Sequence, residues 1–304
     1  MDLSSSLQRL SAHRPQPPRK AQETLDSGLP LLDSGKYARM GDEGWEAVEK
    51  LALAALDVGK IDVADRCLRA LADKFPGSPR VECLTGMRME ATESPETCLK
   101  YYDDLLESDP ANAAAWRRKA AVYRRMGKLD RAVEELSAML DTFYADVEGW
   151  LELADIYSSC HQYTHALQSL SHALLLAPQN PFYFLQFAET AYLAADIPLA
   201  TKMFLTAIDM TDDDDADVPL RDTIPTGITL RAWYGVKLCT HKFITDPRAA
   251  SASASDTPGP SAATLSQLDD LSRERLRTAY LNLKNESPPV ADTEFMSVVA
   301  TIMQ

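Results

Sequence analysis

The side chains best equipped for chemistry are the histidines His161, His165 and His172, five cysteines, and an acidic run of Asp212 to Asp215 with Asp217. His161 and His165 stand four residues apart, the spacing that would offer two imidazoles to one metal ion if both sat on one helix face. The aspartate run carries charge enough for calcium but lacks the spaced ligands and the glycine of a calcium loop, so it reads as a solvated acidic loop. Cys67, Cys83, Cys98, Cys160 and Cys239 are odd in number, scattered and free of CxxC spacing. That argues against a disulfide framework or zinc knuckle and for a reducing compartment, most simply the cytosol. The sequence contains no Walker loop, G-x-S-x-G elbow, H-E-x-x-H or G-x-G-x-x-G. The expectation is therefore no catalytic residue, no metal site and no cofactor.

Bulk properties narrow the ligands further. A formal net charge of -14 and a pI near 4.8 over 304 residues set up repulsion against a phosphate backbone or an anionic bilayer. No apolar run approaches the roughly 18 residues needed to cross a membrane, so membrane association is expected only through partners. The N-terminus has no signal-type hydrophobic segment, and Asp2 with Pro15, Pro17 and Pro18 fits a flexible arm better than a transit peptide. Asn285-Glu286-Ser287 is a formal glycosylation sequon that chance explains.

Whether any of these side chains meet depends on the elements that carry them, and those elements repeat. Trp116 and Trp150 are 34 residues apart, the tetratricopeptide period. With both at repeat position 4, windows begin at Trp45, Pro79, Ala113, Val147 and Pro181. Position 8 then holds Ala52, Gly86, Ala120, Ala154 and Ala188; position 20, where the paired helices cross closely, holds Ala64, Cys98, Ala132, Ala166 and Ala200. Position 24 is bulky and apolar throughout, with Leu68, Tyr102, Leu136, Leu170 and Phe204. Position 32 is proline in three windows, Pro76, Pro110 and Pro178, where it stops the second helix. Gly59 and Gly127 mark the helix reversal at position 15, which also places His161 in a turn and away from His165. Departures are Val48 and Glu82 for the aromatic at position 4, and Thr85 and Lys119 for the apolar residue at position 7. Tyr123, Tyr157, Trp116 and Trp150 read as packing between repeats and not as a stacking platform for bases.

The predicted fold is thus all-α, a tetratricopeptide-repeat superhelix (α-solenoid) of about five clear repeats over 44–214. Residues 1–43 form an arm in which Ala21 to Leu32 is expected to make a capping helix. After Asp212 an insertion of about 15 residues delays the next tryptophan, Trp233. Residues 215–304 then read as a degenerate sixth pair, Ile228 to His241 and Thr264 to Asn285, with a disordered Ser/Ala/Pro-rich insertion at 246–263 and a closing helix at Glu294 to Met303.

A superhelix of this kind binds partner segments on the face lined by each first helix. Here that face draws on Arg117, Arg118, Arg124, Glu152, Asp155, Gln186, Glu189 and Tyr192. Chaperone adaptors of this class grip a terminal carboxylate with a basic and asparagine-rich clamp. The corresponding positions hold, starting at the first repeat, Glu49, Leu53, Leu84, Ala114 and Arg118, and starting at the third, Arg117, Ala121, Glu152, Phe182 and Gln186, and neither set makes the clamp.

Three runs are more specific than the repeat pattern: Ala54-Ala55-Leu56-Asp57-Val58-Gly59, Phe75-Pro76-Gly77-Ser78, and Leu84-Thr85-Gly86-Met87-Arg88 followed by Glu90-Ala91. With the downstream repeats they resemble the subunit 2 family of the endoplasmic reticulum membrane protein complex, over roughly 44 to 212. The resemblance implies a cytosolic, non-catalytic scaffold that is peripheral on the endoplasmic reticulum membrane, in a complex that inserts transmembrane segments. It also implies as partners the cytosolic parts of membrane subunits 3 and 5, subunit 1 and a soluble subunit of the 8/9 type. A free cytosolic adaptor for a chaperone or another assembly is the competing expectation. The insertion at 246–263 departs from the family pattern.

Overall fold

The computed structural model describes residues 18–211, 224–250 and 253–285. The start of the N-terminal arm, the acidic run Asp212 to Asp217 and the expected closing helix at Glu294 to Met303 lie outside the described residues. The chain is all-α, a tetratricopeptide-repeat solenoid whose described residues form thirteen α-helices and no strand. It divides into two compact units, Met1–Tyr144 and Ala145–Gln304, so the stretch expected as one array of five repeats is shared between them.

The first unit holds α1 (Pro18–Ser34), α2 (Asp42–Val58), α3 (Ile61–Lys74), α4 (Pro79–Thr92), α5 (Pro95–Ser108), α6 (Ala113–Arg125) and α7 (Leu129–Thr142). The second holds α8 (Val147–Ser159), α9 (Tyr163–Leu176), α10 (Pro181–Leu193), α11 (Ile197–Asp209), α12 (Gly227–Thr245) and α13 (Ala262–Asn285). Helices α2 to α11 are five pairs in the expected register.

Packing explains the register. All five residues at position 20 are fully buried at 0% exposure, and Ala52, Ala120, Ala154 and Ala188 at position 8 match them, because backbones approach too closely there for a larger group. The repeats vary by compensation. Position 24 is leucine over alanine in three pairs, but in the second repeat Tyr102 lies over Gly86, where an added Cβ would fall 2.5 Å from the phenol oxygen. Gly235 of α12 likewise leaves room for Phe204 of α11, with an added Cβ only 2.4 Å from the ring.

The departures from the repeat pattern are also satisfied. Lys119 sits where an apolar residue is usual, and its Nζ reaches Asp103 at 2.8 Å and Glu135 at 2.7 Å while lying 5.5 Å from the Trp116 ring centre. Glu82, in place of the aromatic, accepts the Tyr101 hydroxyl at 2.7 Å. The Thr85 hydroxyl donates to the Val81 carbonyl at 3.0 Å.

The position-15 turn takes a left-handed residue in four repeats: Gly59 (φ 80), Gly127 (φ 73), His161 (φ 59) and Ala195 (φ 63). A Cβ at positive φ crowds the backbone, so Ala195→Gly is expected to raise stability by about 0.5 kcal/mol, the relief exceeding the added unfolded-state entropy. Urea unfolding of the full chain, with the slope unchanged, checks it.

At the start of the chain, α1 packs on the first repeat, where Leu25 and Leu32 join the core around Leu51 and Val48. At the other end, α12 and α13 make the degenerate sixth pair. It buries Trp233, Val236, Cys239 and Leu276. The insertion departs from expectation. Pro247–Ala250 is a 3-10 turn, and residues 253–261 run as a non-helical strap fixed by side-chain hydrogen bonds to Asp196. Low apolar content does not prevent order here, because one buried carboxylate supplies the acceptors that the polar strap requires.

Candidate partner-binding groove

In the first unit the leading helix of each repeat, α2, α4 and α6, lines a groove of ≈ 520 Å³. Its apolar floor is Leu53 and Leu56 from α2 and Met87 and Ala91 from α4. Four acidic side chains (Glu46, Glu49, Asp57, Glu90) and four basic ones (Lys50, Arg80, Arg118, Arg125) surround it, so an occupant is chosen by charge pattern and apolar fit and not by net charge.

Most of these charges are tied to one another. Arg80 Nη2 reaches both Glu49 oxygens at 2.8 Å, and Lys50 pairs with Glu46 one turn away at 2.8 Å. Glu90 is the central acceptor, its side chain only 8% exposed. It takes the Arg118 guanidinium in a two-pronged contact at 2.9 and 2.6 Å and the Tyr102 hydroxyl at 2.7 Å. Its carbonyl accepts Arg125 Nη1 at 3.0 Å. Burial pulls the Arg118 pKa down, but the bonds to Glu90 outweigh it, so the group is held above its ordinary value. Burial and then the Glu90 contact push the Tyr102 phenol up, so it remains a neutral donor.

The eight residues expected to face a partner are distributed unequally. Arg118 lines the groove. Arg117 and Arg124 are half-buried elsewhere on α6. In the second unit Glu152 and Asp155 lie on α8, half-buried and exposed respectively. Glu189 of α10 is locked to Arg231 of α12 in a two-pronged pair at 2.5 and 2.8 Å. Gln186 is half-buried one turn before Glu189, and Tyr192 packs beside the second unit's core, where burial raises its phenol. Reasoning from the sequence missed Arg80, Glu90 and Arg231. The signal for Arg80 was a basic residue at position 2 of one repeat facing Glu49 at position 5 of the repeat before.

The residues with metal or nucleophile chemistry are otherwise engaged. His161 Nδ1 lies 2.8 Å from the Tyr163 hydroxyl, His165 lies against Tyr157, and His172 stacks on Trp150 at 4.3 Å. Among the described residues no three His, Cys, Asp or Glu side chains gather as a metal would need. Burial pushes the thiols of Cys67 and Cys239 up to about 12, away from the thiolate form that reacts.

Two of the three runs that stand out in the sequence meet at the groove: Leu56, Asp57, Met87, Glu90 and Ala91 line it, Gly86 seats Tyr102 beneath it, and Arg88 pairs with Asp65 at 2.9 Å. Phe75 and Ser78 of the remaining run line an adjoining cleft that shares Glu46, Glu49 and Arg80 with the groove. A family model described as the EMC2 TPR-like repeat domain matches residues 70–204. ER membrane protein complex subunit 2-A of Xenopus laevis is 33% identical over 236 residues, covering 77% of this chain and 74% of that protein. The chain belongs to the ER membrane protein complex subunit 2 family.

TPR repeat protein oca3 of Schizosaccharomyces pombe is 38% identical over 216 residues, which cover 68% of this chain and 71% of that protein. Among solved structures, a tetratricopeptide repeat protein from Parabacteroides merdae is 15% identical, covering 85% of this chain and 98% of that one with a TM-score of 0.45. The subunit 2 family match takes in α4 and α6, and hence Arg80, Glu90, Arg118 and Arg125 of the groove.

Proposed function

We propose that this chain is a non-catalytic scaffold subunit of the ER membrane protein complex, held on the cytosolic face of the endoplasmic reticulum membrane, where it organises other subunits for insertion of transmembrane segments. The observation that carries this reading is that two of the family-like runs, those holding Leu56 and Asp57 and Met87 to Ala91, meet at one groove in the first unit. Its apolar floor and balanced charged rim suit a partner's peptide or helix, which would cover Leu53, Leu56, Met87 and Ala91. The partners in this reading are the cytosolic parts of membrane subunits 3 and 5, subunit 1 and a soluble subunit of the 8/9 type, with no nucleic acid. Among the described residues no helix is long and apolar enough to cross a membrane, which is consistent with attachment through those partners.

The ion pairs within the rim bear on how a partner is held. Glu49 and Arg118 occupy positions that a carboxylate clamp would use, yet both are neutralised by neighbours within the chain. A peptide that relied on its terminal carboxylate would therefore find no unpaired cation at those positions.

Ala91 is exposed on the groove floor, so Ala91→Trp would fill the groove without disturbing the core. Surface changes of this kind shift stability by about 0.5 kcal/mol or less. The tagged full chain, recovered in mild detergent from its own cells, is expected to bring down a stoichiometric set of membrane subunits, and Ala91→Trp to reduce that recovery about tenfold, the loss of one well-packed contact region. Recovery of soluble chaperones alone would favour the free-adaptor reading instead.

A further inference from the structure

Asp196 is 4% exposed and caps α11, accepting the Leu199 amide at 3.2 Å. The same carboxylate holds the strap. Its Oδ1 accepts the Ser253 hydroxyl at 2.9 Å, and its Oδ2 accepts both the amide and the hydroxyl of Ser255, at 3.2 and 3.0 Å. The Thr257 amide in turn donates to Ser253 Oγ at 3.2 Å. Downstream, Thr257, Pro258 and Pro260 face Pro198 and Leu205 of α11 and Leu268 of α13 across a shallow groove. One buried carboxylate thus anchors a segment that has no large apolar side chain of its own. Ser255 is exposed on a non-helical turn, with Asp256 after it at positive φ (53), so its hydroxyl is presented at the surface and outside any helix.

We propose that Ser255 is a phosphorylation site whose modification releases the strap 253–261 from Asp196 and uncovers the α11 and α13 surface beneath it. The phosphoryl donor is a nucleoside triphosphate used by a protein kinase. Ser255 Oγ bonds to the γ-phosphorus, the bond from that phosphorus to the β–γ bridging oxygen breaks, the nucleoside diphosphate leaves, and the hydroxyl proton passes to the kinase's base. Two consequences follow at Asp196. The hydroxyl that donated to Oδ2 no longer has a proton to give, and a phosphate of charge about −1.5 to −2 stands beside a buried carboxylate. The helix N-terminus offers little compensation, because Asp196 already takes the Leu199 amide. This inference does not depend on the scaffold reading.

The test has two arms on the full chain. Peptide mass spectrometry of the protein from its own cells should find phosphate on Ser255, and its absence under all growth conditions tried would overturn the site. In the second arm phosphoserine is encoded at position 255 and amide exchange is read residue by residue. The Ser255 and Thr257 amides should exchange at least about tenfold faster, as expected when charge-assisted bonds give way to like-charge repulsion, while the Leu199 amide stays protected. Asp196→Asn preserves the cap but removes the charge, so in that background phosphoserine should accelerate exchange no more than Ser255→Ala does. Unchanged or slower exchange in the phosphoserine protein, or an equal acceleration with Asp196→Asn, would overturn release by repulsion.

Discussion

Tyr102→Ala is expected to lower the unfolding free energy of the first unit by about 4 kcal/mol, in the range for deleting a fully buried aromatic side chain. Tyr102 is 0% exposed, and its ring fills the space above Gly86 while its hydroxyl supports Glu90 at the groove. The substitution therefore removes packing and a hydrogen bond together. Tyr102→Phe separates them: the ring stays and only the bond to a charged acceptor goes, for a loss of about 1–2 kcal/mol. Because Glu90 then relies on Arg118 alone, Tyr102→Phe should also loosen the groove, seen as faster exchange of α4 amides around Glu90.

The complementary substitution tests the compensation itself. Gly86→Ala alone forces a Cβ into the phenol ring and should cost about 2 kcal/mol by overpacking. Combined with Tyr102→Leu it recreates the alanine and leucine pairing of Ala52 with Leu68 and Ala120 with Leu136, and should cost less than the sum of the two single changes. Urea unfolding followed by tryptophan fluorescence, with Trp45 and Trp116 reporting the first unit, reads both series. Strict additivity would show that Gly86 and Tyr102 are not coupled.

Close packing has a period and polar pairing does not, and that difference set what the sequence disclosed. The small residues at positions 8 and 20 recur every 34 residues because the same two backbones meet at the same distance in each repeat. The helix pairs, and the turn that holds His161 at positive φ, followed from that spacing. Lys119 looked like a defect at position 7, because its partners Asp103 and Glu135 lie on two other helices, and nothing local announces them.

The groove was half legible for the same reason. Arg118 was picked out by its place on a leading helix, whereas Glu90 sits near the end of α4, twenty-eight residues before the arginine it binds. The family-like run containing Met87 and Glu90 was the better guide, though its spacing alone gave no reason for those residues. The strap was misread because its composition is that of a disordered chain. What orders it is Asp196, 57 residues before Ser253, a contact that local composition does not record.

Lys237→Ala is expected to destabilise the pairing of α12 with α13 by about 3 kcal/mol, since removing one partner of a buried pair leaves the other charge uncompensated. Lys237 is 7% exposed, and its Nζ meets Asp269 Oδ1 at 2.5 Å, where the Thr240 hydroxyl also donates at 2.8 Å. Arg273 holds the other oxygen at 2.6 Å but is half exposed, so it compensates only in part. The pH dependence identifies the cause. Burial tends to raise the Asp269 pKa, but Lys237, Thr240 and Arg273 together outweigh it and hold the carboxyl below its ordinary 3.8. A depressed carboxyl contributes stability that is complete above the unfolded pKa and is lost as the pH falls through the lower folded value. The wild-type chain should thus lose this contribution only below about pH 4. In Lys237→Ala burial acts with less opposition, and the carboxyl protonates at higher pH. The deficit of the variant should consequently be largest near neutrality and shrink on acidification, as protonation removes the stranded charge. Paired urea titrations at pH 7 and pH 4 read this directly. A deficit that is the same at both would assign the effect of Lys237 to the packing of its aliphatic stem and not to its charge.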